Sequence, residues 1–404
     1  MRQRSDHQFN NFPQRGQHQA HSLSSGGTYL ELVASISSHS TLQRPRSNMC
    51  TMHPLVHLSF ALLILGAAAS SKTSWPCPEP EEIAPCLCTT HPDTGQISMD
   101  CSEVQNDGQL SRAFRANFPF FDLDDFTMIK SLSEEPINVT RLTPNTFGNV
   151  SFTNIAISNT NLNSIDDLAF SRSFATMQTL TVSYSKLTSF PFDILKNCFS
   201  LKDLRVFNNR ITHMSNIHSD SLEYLQVSHN PELHYNDDTF KTAPNLKVIL
   251  MNNIDLQYIA PDTFAAQSGL EILDLSENKI TELVPDSLRF TSDAMKEIKL
   301  QRNHIEKIDQ SSISGLTGNV YLWLQHNRLT EIPEKVWQPV FDSVAGTAET
   351  DLIVFDDNPI RCDCNIKWLI SSTTYMDIIG NNAACDDGTF LNDGTLGDFI
   401  LQHC

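Results

Sequence analysis

The cysteines are the side chains best equipped for chemistry in this 404-residue chain. Eight of its ten fall in two groups: Cys77, Cys86, Cys88 and Cys101, then Cys362, Cys364, Cys385 and Cys404. The long stretch between the groups holds only Cys198. A structural zinc site favours Cys pairs separated by two to four residues, whereas the close pairs here are Cys-x-Cys. Two tight clusters flanking a cysteine-poor middle therefore read as disulfide-stapled ends, with three connectivities open for each group of four. Cys198 is left over, either as a buried inert thiol or as a site of intermolecular pairing.

Other reactive constellations are missing. The chain has no His-Glu-x-x-His, no Gly-x-Ser-x-Gly and no Gly-rich phosphate loop. Asp122, Asp124 and Asp125 cluster, as do Asp356 and Asp357, but neither set has the alternating oxygen ligands and turn glycine of a calcium loop. Both read as solvated acid. His229, His304 and His326 lie beside the asparagines of a repeat, at a surface position. No catalytic residue, metal site or cofactor is expected, and the chain is read as a non-enzyme.

What must position the remaining side chains is a repeat. The phrase apolar-x-x-apolar-x-apolar-x-x-Asn-x-apolar recurs, most clearly at Leu201–Ile211, Leu270–Ile280 and Met295–Ile305. Copies open at Phe152, Met177, Leu201, Leu222, Leu246, Leu270, Met295 and Asn319, most of them 24 or 25 residues apart, and a last one opens at Thr350. The fourth and sixth positions are two apart, so a strand turns both toward one core; the third and fifth face the other way. The ninth is asparagine because its amide satisfies backbone groups where the chain leaves the strand. Three copies depart from this, with Thr160, Ser185 and Ile254 at that position; Ile254 cannot bond the turn, which predicts a local irregularity. Phe147, Phe170, Phe240 and Phe264 recur ahead of the following strands and are expected to fill the far side of the core. One copy cannot bury its own apolar face, but a stack can. Residues 110–147 hold one divergent copy whose phase the sequence leaves open.

These motifs resemble the leucine-rich-repeat family. The resemblance implies an α/β repeat solenoid, a horseshoe with a parallel concave sheet and a disulfide-stapled cap at each end. The run Cys77…Cys86-Leu-Cys88…Cys101 resembles the family's N-terminal cap, and Asn358-Pro-Ile-Arg-Cys362-Asp-Cys364-Asn-Ile-Lys-Trp368-Leu369 with Cys385 and Cys404 resembles its C-terminal cap. By that resemblance Cys77 pairs with Cys88, Cys86 with Cys101, Cys362 with Cys385, and Cys364 with Cys404. Within the family, the Trp75-Pro76-Cys77-Pro78 opening, the repeat number and the cap layout are similar to the non-catalytic luciferase subunits of crustaceans, of the oplophorus-luciferin 2-monooxygenase type. That implies a subunit that holds another protein while the chemistry is done elsewhere.

The organisation then follows. Residues 1–48 are polar and aperiodic, a disordered tract or a mis-set start. Residues 49–69 are a signal peptide: its 12-residue apolar run, 58–69, is short for a bilayer span and is followed by small residues. An uncleaved signal-anchor is the rival reading. The N-terminal cysteine cap occupies 70–109, about ten repeats 110–360, and the C-terminal cap 361–404. Secretion is expected, with no membrane anchor after Cys404. Asn138-Val-Thr and Asn149-Val-Ser are candidate glycosylation sequons. The formal net charge is −19, which argues against a nucleic-acid partner.

Binding is left to the concave face. Third- and fifth-position residues place Tyr224, Val248, Leu250 and Ile272 in one apolar patch mid-array, and Tyr321, Trp323, Leu352 and Val354 in a second near the C-terminal cap. Contiguous exposed apolar surface marks an interface. The expected partner is a protein ligand or a catalytic subunit. The alternative is a recognition module of innate immunity or cell–cell signalling.

Overall fold

A computed structural model describes residues 75–345 and 349–404. The signal peptide and the preceding polar tract expected over 1–69 lie outside those residues. Strands β1 (Leu87–Thr90) and β2 (Ile97–Asp100) open the chain, followed by β3 (Asp122–Ile129), β4 (Arg141–Leu142), β5 (Ser151–Ser158), β6 (Ser164–Ile165), β7 (Thr179–Ser183) and β8 (Asp203–Arg205). Then come β9 (Tyr224–Gln226), β10 (Val248–Leu250), β11 (Ile272–Asp274), β12 (Glu282–Leu283), β13 (Leu288–Arg289), β14 (Glu297–Lys299), β15 (Lys307–Ile308), β16 (Ile313–Ser314), β17 (Tyr321–Trp323) and β18 (Ile353–Val354). Twelve of them form one sheet in the order β1-β2-β3-β5-β7-β8-β9-β10-β11-β14-β17-β18. Only the β1–β2 pair is antiparallel. This is a parallel-strand solenoid, and its period sets its register: position 4 of each copy pairs with position 4 of the next, as in Leu204 with Leu225 and Ile298 with Leu322.

The fourth and sixth positions are core throughout. Leu204, Val206, Leu273, Leu275, Ile298 and Leu300 are all fully buried. The return path carries short 3-10 turns and three two-stranded parallel sheets, β4–β6, β12–β15 and β13–β16. Phe147, Phe170, Phe240 and Phe264 are buried there, and they contact one another from copy to copy: Phe147–Phe170 at 5.7 Å and Phe240–Phe264 at 5.5 Å between ring centroids.

Two backbone devices turn the chain off each strand. The first is the asparagine ladder. Asn303 donates to the carbonyls of Leu275 and Leu300 and accepts from the Ile280 N–H, so one amide ties two consecutive turns. Asn230, Asn278, Asn327 and Asn358 repeat the pattern. The second is a left-handed residue at position 8 of every copy: Asn159, Tyr184, Asn208, His229, Asn253, Glu277, Arg302, His326 and Asp357, with φ between 45° and 58°. Asn, Asp and His enter this region most easily, which explains their share of the row. At the irregular copy Asp255 is left-handed as well as Asn253, and the Ile254 N–H is taken by Asn278 of the following copy. Thr160 and Ser185 replace the amide with a hydroxyl pair, 2.8 Å apart.

The divergent repeat is phased by β3: Leu123 pairs with Phe152, Phe126 with Ile155 and Met128 with Ile157. Its acidic trio hydrogen bonds to the neighbouring strands at the start of the sheet. Asp124 accepts from the Ile97 N–H at 2.7 Å, Asp125 from Ser98 and Asn154 at 2.9 Å each, and Asp122 from Ser151 at 2.5 Å. Four disulfides sit in the caps, Cys77–Cys88, Cys86–Cys101, Cys362–Cys385 and Cys364–Cys404. Cys198 is buried and unbridged, its thiol donating to the Ile194 carbonyl.

At the far edge the structure corrects the sequence reading. Leu352 and Val354 are buried, not displayed. The cap segment 377–380 hydrogen bonds along β18, with Ile353 N–H donating to Ile378 O and Gly380 N–H to Ile353 O. Gly380 lies against the Val354 side chain; a Cβ there would be 3.3 Å from it. The helix Glu334–Val344 packs on the core side, where Trp337 lies against Phe355 at 4.8 Å.

Candidate functional site: the open face of the sheet

Strand alternation leaves positions 3 and 5 of each copy on the face of the sheet away from the core. From β8 to β17 every three-residue strand has the same pattern, a buried central residue between two half-buried ones. Tyr224, Val248 and Ile272 are in register across β9, β10 and β11, with Leu250 beside them between Gln226 and Asp274. The mid-array patch is therefore continuous, and all four of its residues are half-buried. Tyr321 and Trp323 occupy β17 and stack at 5.9 Å with planes 16° apart. With Leu352 and Val354 beneath the cap, the second patch shrinks to this aromatic pair.

Charged residues border the mid-array patch. On the β8 side Arg205 grips Asp203 through two hydrogen bonds of 2.7 and 2.8 Å and lies over the Tyr224 ring, 4.4 Å from its centroid. Burial works against the Arg205 charge, but the Asp203 carboxylate outweighs it and the guanidinium is raised above its ordinary value. Burial likewise raises the Tyr224 phenol. On the β11 side Asp274 is spent on Ser276, and Lys299 pairs with Glu297 at 2.9 Å. The bidentate pair orients Arg205, and Arg205 in turn stacks on Tyr224 at this edge of the patch.

Beside the cap, Gln301, Gln325 and Asp356 follow one another at position 7. An oxygen of each, and the Trp323 indole nitrogen, is shielded from solvent without a hydrogen-bond partner. Burial pushes the Asp356 carboxyl above the usual carboxylate range, opposed by the Asn382 side chain.

Among the described residues no group of three or more His, Cys, Asp or Glu is placed to hold a metal ion. His229 and His304 are half-exposed and His326 exposed, His326 lying 3.2 Å from Asp357. Asn138 and Asn149 are both exposed, on the return path ahead of β5. The bidentate Asp203–Arg205 pair escaped the sequence reading, though two opposite charges at positions 3 and 5 of one strand are its signature.

Comparison with known proteins agrees with this architecture. Residues 126–233 match the model of the BspA type leucine rich repeat region in six copies, and residues 269–290 match the leucine rich repeat model. The chain is 29% identical over 320 residues to the oplophorus-luciferin 2-monooxygenase non-catalytic subunit of Oplophorus gracilirostris, covering 78% of this chain and 85% of that one. It is 30% identical over 174 residues to lumican of Gallus gallus, 42% of this chain and 46% of lumican. Among solved structures it resembles a chain of the octameric complex of Latrophilin 3, Unc5D and FLRT2 (LRR), with a TM-score of 0.52 at 16% identity, covering 67% of this chain and 77% of that one. A chain of the TLR13–ssRNA13 complex matches with a TM-score of 0.51 at 19% identity, over 65% of this chain and 36% of that one.

Proposed function

Taking as premise a solenoid of leucine-rich repeats closed by disulfide caps, we propose that this protein is a secreted, non-catalytic binding subunit that holds another protein on the open face of its sheet. The observation that carries the reading is the in-register, half-buried patch of Tyr224, Val248, Leu250 and Ile272, braced by Arg205 and Asp203. An apolar centre with a polar, prepaid edge is how a protein interface is built. Tyr321 and Trp323 supply a second aromatic anchor on the same face. A sheet face also suits a protein better than a small substrate, which needs a concave pocket around it. The similarity to a non-catalytic subunit over most of both chains supports the same role, and the partner is then a catalytic subunit or another protein ligand. Four disulfides support an extracellular setting, and no helix among the described residues is long and apolar enough to cross a membrane. Cleavage near Ala69 and glycans on Asn138 and Asn149 belong to the same proposal.

The test is co-purification of the native protein with its partner, followed by binding measured with the isolated partner. Leu250→Glu should abolish the complex, and Trp323→Ala should weaken it by ~2 kcal/mol, with thermal melting of both variants close to wild type. Normal binding by Leu250→Glu would remove the mid-array patch from the interface. Turnover of a luciferin by the purified chain alone would refute the non-catalytic reading.

A further inference from the structure

The return path carries a feature unrelated to the open face. His213 and His234 hold the thirteenth position of consecutive copies and form a parallel bridge. The His234 N–H donates to Thr212 O at 3.0 Å, and the Met214 N–H donates to His234 O at 2.9 Å, which fixes the two histidines in register. Their backbones are anchored from below by buried Met214 and Leu233. Both side chains are exposed, and among the described residues neither ring takes part in a hydrogen bond or ion pair. Residues in register on adjacent parallel strands present their side chains to the same side, about 4.8 Å apart. Two imidazoles at that spacing can each bring a ring nitrogen to about 2.0–2.1 Å from one ion.

We propose that His213 and His234 form a two-histidine clip for a first-row divalent transition cation, with water completing the coordination. The chemistry selects the class: neutral imidazole suits copper, nickel and zinc, whereas calcium and magnesium take oxygen ligands. No third His, Cys, Asp or Glu joins the pair among the described residues, so the site has two protein ligands. Binding follows the order of ligand-field stability, with Cu²⁺ tightest. The flanking residues of the same row, Ser189 and Tyr258, are exposed and carry no charge, so the ion meets no competing cationic side chain along it. The ion would link two successive turns of the solenoid on the side away from the open face.

The experiment uses the full chain titrated with Cu²⁺, and separately with Ni²⁺, Zn²⁺ and Ca²⁺, in a non-coordinating buffer at neutral pH. Other histidines bind copper too, so the readout is the difference between proteins. His213→Gln and His234→Gln should each lose one Cu²⁺ equivalent, or weaken it at least tenfold, and the double variant should lose no more than either single. That equality distinguishes a chelate from two independent ligands. His304→Gln, outside the pair, should keep wild-type stoichiometry, and Ca²⁺ should not compete. Melting without metal should match wild type in all variants, while only the parent and His304→Gln should gain thermal stability on adding Cu²⁺. Unchanged copper stoichiometry and affinity in both single variants would overturn the proposal, as would an additive loss in the double variant.

Discussion

Asn278 stands in for two asparagines. Its own copy needs one amide, and the preceding copy has Ile254 where its amide should be. The Asn278 side chain is buried, donates to the carbonyls of Met251, Leu275 and Ser276, and accepts from the N–H groups of both Ile254 and Leu256. Replacement by alanine does not orphan all five partners. Leu275 O keeps the Asn303 amide, and Ser276 O keeps the Asn253 N–H. The Ile254 N–H, the Leu256 N–H and the Met251 carbonyl are left without the partners they have in the folded chain. Each buried group left unmade costs roughly 1–3 kcal/mol, so Asn278→Ala should cost ~3–5 kcal/mol after partial relaxation. Asn303→Ala is the control: Leu275 O keeps Asn278 and Leu300 O keeps Asn327, so only the Ile280 N–H is stranded. Its cost should stay near ~1–3 kcal/mol. Urea unfolding of the two variants reads the difference, and amide exchange at Ile254 and Leu256 reads its location, because a solenoid transmits such damage mainly to its neighbours. Equal losses in the two variants, or unchanged exchange at Ile254 and Leu256, would refute the claim that one amide serves two copies.

Burial raises the Cys198 thiol from 9.0 to about 12, so it should resist alkylation at pH 8 in the native protein and react fully in denaturant, as peptide mapping would show. The unfolded chain loses this proton first, so the associated stability is complete below about pH 9 and is lost as pH rises toward 12; a urea midpoint that rose over that interval through Cys198 would contradict it. Gly315→Ala should be far more damaging than Gly318→Ala. Both have positive φ, near +79° and +75°, but a Cβ on Gly315 would sit 2.0 Å from the Phe290 carbonyl while Gly318 faces open space. Melting curves should show Gly318→Ala costing ~1–2 kcal/mol and Gly315→Ala failing to fold normally. Removing Cys364–Cys404, which closes a 40-residue separation, should destabilise its cap by about 1 kcal/mol more than removing Cys77–Cys88 with its 11 does to the other; differential scanning of the two double-serine variants checks the order.

The period determined most of the fold. Apolar side chains two residues apart, repeated every 24 residues or so, have one efficient solution: stacking in register so that each turn buries the next. Positions 4 and 6, the asparagine ladder and the return-path phenylalanines were legible for that reason. The irregularity of the Ile254 copy was legible too, because a missing amide is a local fact. Its remedy was not, since Asn278 reaches back from another copy. The left-handed residue at position 8 was also written in the sequence, as the run of Asn, His and Asp there, but it shows only once backbone angles are in hand.

The open face divides along the same line. Which residues leave the core follows from alternation, so Tyr224, Val248, Leu250 and Ile272 could be placed from the sequence. Whether an outward residue stays uncovered depends on segments distant in the chain. Leu352 and Val354 follow the same rule as Tyr321 and Trp323, yet residues 377–380 pair with β18 and close over them. Likewise, that His213 and His234 are neighbours depends on a copy only 21 residues long keeping its thirteenth position in register. Local pattern fixes the direction of a side chain; coverage and adjacency come from long-range pairing, and those only the tertiary structure decided.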